Sequence, residues 1–180
     1  LHCPVRNPRK CFPRPPIPGS PRPRAGILPQ YRRSLHTPLA IHNWYIHESK
    51  NPSGNPGPAG VGLIALWGDE KRELSEYIGE ATNNIAELTG VLRAVELAHE
   101  LGKPLRLYTD SQYSIGVLTK GWKAKANKEL IAKVREALKA HPDAKLFHVR
   151  GHKGVKLNEH ADELAVRAVQ SRASTGWVAI

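Results

Sequence analysis

Three carboxylates stand where this chain could use them for more than surface charge. Glu87 falls in the first turns of a long helical pattern and shares a stripe with Val91, Ala94 and Ala98. A carboxylate on a stripe facing a sheet must be paired, protonated or bound to a cation, because burying it uncompensated is costly. Asp110 closes the string LRLYTD, and strand ends in open α/β sheets are where sites form. Asp162 lies early in the last helical segment, beside the stripe Ala161, Leu164, Ala165 and Ala168. Each acid alone also has a plain reading. Glu87 could be a helix-start charge, Asp110 a turn or cap residue and Asp162 a solvated acid. Together they offer hard oxygen donors of the kind that Mg²⁺ takes alongside its waters.

The elements that must position these residues can be read from the periodicity. AIHNWYIH reads as a strand, followed by the turn Gly54-Asn55-Pro56-Gly57-Pro58-Ala59-Gly60 and a second strand, GVGLIALW. After a short GDEK turn, ELSEYIGEA gives a third strand, so the start is an antiparallel meander. TNNIAELTGVLRAVELAHELG is helical, with Ile85, Leu88, Leu92 and Val95 at helical spacing and Gly102 as its stop. LRLYTD is a strand and SQYSIGVLT a short helix; KELIAKVREALKAH is an amphipathic helix, AKLFHVR a strand and NEHADELAVRAVQSRA a last helix. The order βββαβααβα makes an α/β layer on a mixed sheet.

The 180 residues suffice for one domain, and no apolar run approaches the ~20 residues of a membrane helix. The net charge of +11 favours a polyanionic partner, most simply nucleic acid. That charge is concentrated at the start. Residues 1–40 hold eight Arg and Lys, no acid and ten of the fifteen prolines. Such a segment cannot form helix and lacks apolar content for a core. It reads as an extended basic arm, with Arg22, Arg24, Arg32 and Arg33 as candidate phosphate contacts. It also has the Arg-rich, acid-free character of an organelle presequence, which suggests a mitochondrial or other organelle matrix. Cys3 and Cys11 are both in the arm and lack the neighbours of a zinc site. The division expected is an arm at 1–40, a folded domain at 41–172 and a tail at 173–180.

Five strings, GNPGPAG, TNNIAEL, YTDSQYSIGVL, VRGHKG and NEHADELA, occur in this order. Together they resemble type 1 ribonuclease H over residues 41 to about 170. The resemblance implies a five-stranded mixed sheet flanked by helices. It implies cleavage of the RNA strand of an RNA–DNA hybrid with Mg²⁺ or Mn²⁺. Glu87, Asp110 and Asp162 would be the metal-binding carboxylates, and His152 the mobile histidine that helps proton transfer or product release. Asn55, Thr82, Asn84 and Gln112 fall at hybrid-contacting positions. In phosphodiester hydrolysis, two hard cations about 4 Å apart activate water and stabilise the leaving oxygen. The 2′-hydroxyl is how such a site separates RNA from DNA.

In the family, an Asp five residues before the Gly of Gly-Asn-Pro-Gly bridges both metals. Here that position is Ser49, followed by Lys50. Glu48 could replace it only through a slip or bulge, because neighbouring strand residues face opposite sides. The longer basic handle of some members is also absent; Trp122, Lys123 and Lys125 remain as a small basic-aromatic patch that could contact a backbone or stack, or could be a packed Trp in a solvated loop. Two functions follow: a hybrid endonuclease, or a non-catalytic relative that binds structured RNA within a ribonucleoprotein such as an organelle ribosome.

Overall fold

A computed structural model describes residues 38–47, 56–149 and 156–180. The elements are β1 (Leu39–His47), β2 (Gly57–Trp67), β3 (Glu70–Ala81), α1 (Asn83–Leu101), β4 (Leu105–Thr109), α2 (Gln112–Thr119), α3 (Lys128–Ala140), β5 (Lys145–His148), α4 (Lys156–Ser171) and β6 (Gly176–Ala179). The strands form one mixed sheet in the order β5-β4-β1-β2-β3-β6. β1 lies at its centre, antiparallel to β2 and parallel to β4. The fold is therefore the α/β mixed sheet expected, with one strand more than five.

The sixth strand comes from residues 173–180, which read as a tail. β6 pairs antiparallel with β3, Leu74 opposite Trp177, and Trp177 packs on the core. Two strand limits also differ from the expectation. The polar turn is only Gly68-Asp69, because β3 already begins at Glu70 opposite Trp67. Gly68 takes φ +58, a conformation glycine adopts without a Cβ penalty. Gly57, Pro58 and Ala59, read as part of the Gly-Pro turn, belong to β2.

Alternation along β2 explains the two layers. Ala59, Val61, Leu63, Ala65 and Trp67 face a large core shared with α1, and Ile64 faces α4 with Ala161 and Leu164. Leu39 and Ile41 of β1 and Leu105 and Leu107 of β4 are fully buried in the α1-side core. Each such side chain contributes ~1.5–3 kcal/mol on burial. α3 joins this layer through Val134, and through Ile131 against Leu88 and Val117. The α4 layer is set by glycine. A Cβ on Gly60 would lie 2.6 Å from the Ala165 carbonyl, and one on Gly62 would overlap the Ala161 carbonyl. Arg93 of α1 ties this helix to β3 by two bonds of 2.7 Å to Glu76. Glu76 holds the guanidinium above its usual range, Glu96 adding to the effect and burial opposing it.

Candidate active site

The long helix starts where its sequence says it should. Thr82 has extended φ and ψ, and its hydroxyl accepts from Ile85 N. Gly102, in the left-handed region, ends the helix. Glu87 lies one turn beyond the start and is only 6% exposed. Its Oε2 accepts from the hydroxyls of Ser111, at short range, and Ser114, at 3.4 Å. Ser111 also caps α2, accepting from Ser114 N at 2.9 Å. Asp110 immediately precedes it, and its Oδ1 is shielded from solvent. The cap of α2 thus brings the Glu87 carboxylate to the end of β4, next to Asp110.

Asp162 arrives on the opposite layer. It is half-buried and follows Ala161, whose carbonyl lies over Gly62. Gly62 stands opposite residue 44 of β1. The parallel β1–β4 register, His42 with Tyr108, brings residue 44 level with Asp110 when continued by two residues. One row across the sheet therefore runs from Asp110 through residue 44 to Gly62, with the start of α4 above its far end. Adjacent strands are ~4.8 Å apart, so residue 44 lies between Asp110 and Gly62 in that row. The middle residue is Trp44, and β1 has no acid anywhere from Leu39 to His47. Among the described residues, no group of three or more His, Cys, Asp or Glu side chains is arranged to hold a metal ion. Ser49, Lys50 and the alternative donor Glu48 lie outside the described residues, as do Asn55, His152, Arg22, Arg24, Arg32 and Arg33.

Two helix N-termini and a basic-aromatic loop lie near this edge. The N-termini of α1 and α2 open onto it, and neither helix has an acid in its first turn. Such helix ends favour phosphate. Thr82 and Asn84 lie at the first, Thr82 as the cap; Gln112 begins the second. Trp122 is exposed, yet its ring covers Gly116, where any Cβ would meet it. The two readings of this Trp thus join, one side of the ring packed and the other open. Lys123 and Lys125 are exposed beside it. Gln112, Ile115, Lys120, Trp122 and His148 line a hollow of about 250 Å³. The sequence reasoning missed Ser111, Ser114, Lys120 and His148. A Ser-x-x-Ser spacing after a strand-ending Asp was the available signal for the first two.

A family model for RNase H matches residues 44–170. The chain belongs to the RNase H family. It is 39% identical over 132 residues to a ribonuclease H of Trichodesmium erythraeum, covering 66% of this chain and 83% of that one. It is 40% identical over 141 residues to a ribonuclease H of Rhodospirillum rubrum, covering 70% and 82%. Among solved structures, RNase H1 of the halophilic archaeon Halobacterium salinarum superposes with a TM-score of 0.57 at 32% identity, over 74% of this chain and 99% of that one. LC9-RNase H1, a type 1 RNase H with the type 2 active-site motif, superposes with a TM-score of 0.67 at 24% identity, covering 79% and 77%, and supports the fold alone. No helix of the described residues is long and apolar enough to cross a membrane.

RNase H enzymes generally use divalent metals. Glu87 and Asp110 offer hard oxygens at one strand end, in the character Mg²⁺ or Mn²⁺ takes. Mg²⁺ is commonly held by one or two carboxylates, waters and substrate phosphates. Among the described residues, Glu87 and Asp110 are the carboxylates that would hold such a cation. The described residues do not provide β1 with a carboxylate for a second.

Proposed function

We propose that this RNase H-family chain binds an RNA–DNA hybrid across the edge formed by α1, α2 and the ends of β1 and β4, and cleaves its RNA strand by metal-assisted hydrolysis. The observation that carries this reading is the buried Glu87 carboxylate, held by Ser111 beside Asp110. Glu87 and Asp110 would hold the cation, with Asp162 approaching from the α4 layer. Bound Mg²⁺ or Mn²⁺ would supply Lewis acidity toward a phosphodiester and a more acidic bound water. The chain's own groups do the rest. Ser111 and Ser114 fix the Glu87 carboxylate in one orientation. Thr82, Asn84, Gln112 and Asn55 would bond phosphate and 2′-hydroxyl without adding charge. Trp122, Lys123 and Lys125 would hold the other strand, and His152 would assist proton transfer or product release.

The test is endonucleolytic cleavage of a labelled hybrid in Mg²⁺. Cleavage by the intact chain, lost ~100-fold or more in Glu87→Gln with hybrid binding retained, supports the reading. One observation favours a second reading: the acid-free strand β1. A chain that binds hybrid or structured RNA and cuts neither would be a non-catalytic component of a ribonucleoprotein. The composition of the arm supports an organelle location for either role, and import of a tagged chain tests it.

A further inference from the structure

α4 packs on β1, β2 and β3, and on that side of the sheet β4 and β5 present a surface that the catalytic reading does not use. Arg106 and Tyr108 of β4 project to this face, opposite the buried Leu105 and Leu107. Lys145 and Phe147 of β5 project beside them, because Arg106 pairs with Lys145 and Tyr108 with Phe147. The two rings stack at 5.3 Å with 22° between their planes, and Phe147 is 38% exposed. Arg106 and Lys145 are exposed, and neither takes part in an ion pair found among the described residues. Like charges directly opposite on neighbouring strands repel. They border a hollow of about 320 Å³ with Pro38, Pro104 and one acid, Asp143. Two cations, a stacked aromatic pair and the strand end at Asp110 thus follow one another along one strip of sheet. Cations that track a backbone beside aromatic rings that take bases are the chemistry of single-strand binding.

We infer that this strip binds an unpaired segment of the RNA strand where it leaves the duplex held at Asp110. The choice of RNA rests on the proposed function, since the strand whose phosphate lies at Asp110 is the one to be cut. The first unpaired base would stack on Phe147 and Tyr108, and the following phosphates would meet Arg106 and Lys145.

The experiment uses the full chain and hybrids that are blunt or carry a short RNA overhang with 2-aminopurine at its first unpaired position. The overhang should strengthen binding about tenfold and quench 2-aminopurine by stacking. Phe147→Ala should abolish both effects and leave blunt-hybrid affinity unchanged, and Phe147→Trp should keep both. The double variant Arg106→Gln, Lys145→Gln should lower the overhang advantage and its salt dependence. Equal affinities for blunt and overhanging hybrids overturn the proposal. So does an equal response to a DNA overhang, which would assign the strip to the other strand, and so does self-association of the chain that Phe147→Ala abolishes. Failure of the hybrid reading shows separately, as absent binding of the blunt hybrid. In that event, binding of a single-stranded RNA oligonucleotide, with or without Phe147→Ala, still decides the strip.

Discussion

At the residue scale, the site turns on one serine. Ser111 caps α2 and donates to a buried carboxylate from another helix. Ser111→Ala should therefore lower stability by ~1–3 kcal/mol, above an ordinary cap loss, because it removes the short bond to the buried Glu87 carboxylate together with the cap. Urea unfolding measures it, and a loss under ~0.5 kcal/mol would deny the coupling. A second prediction concerns the middle of the row. Trp44→Asp should strengthen Mg²⁺ binding in calorimetry, because it puts an acid level with Asp110 on the neighbouring strand. Unchanged affinity would mean that the register does not govern the site. Counting from the Gly-Pro turn reaches Ser49, which lies outside the described residues; on β1 itself, the residue in register with Asp110 is residue 44. Counting follows the chain through its loop, and pairing follows the sheet. The burial of Glu87 was legible because Val91, Ala94 and Ala98 share its stripe. Its serine donors were not, since a hydroxyl serving two elements leaves no periodicity.

At the scale of elements, the close approach of α4 to β2 gives the sharpest expectation. Gly62→Ala places a methyl against backbone atoms of Ala161 and Ala165, which cannot rotate away as a side chain could. It should destabilise by ~3 kcal/mol and shift the start of α4, weakening hybrid binding as well. Full stability in thermal unfolding would contradict the packing. The helices were read nearly to the residue from caps and stripes, Thr82 and Gly102 being the clearest marks. β6 was not. Four residues give too short an alternation, and the partner strand lies about a hundred residues away, Thr175 N bonding Ser75 O. The irregularity between Ala59 and Gly60, with Gly79 at φ +78, was also invisible, because Gly in a strand signals a bulge only once a partner is known.

At the scale of the whole molecule, charge divides the labour. Residues 1–40 carry eight cations and no acid, and a version beginning at Leu39 keeps β1 whole. If about half of those cations meet phosphates, this version should show a slope of log affinity against log salt smaller by ~3 than that of the full chain. Equal slopes would leave the arm as a targeting or spacer segment. The place of β1 in the sheet has a consequence in time as well as in space. Its first described residue pairs with Leu105 of β4, so on a ribosome the central strand waits for its parallel partner. At ~5–20 residues per second that interval is roughly 3–13 s. During it, the β1–β2–β3 meander exposes the edge that β4 will cover, and the cationic arm directly precedes β1 in the sequence. Like charges keep two nascent chains from pairing through that edge. An arm that serves nucleic acid in the finished protein would then also act as the meander's guard while it is being made.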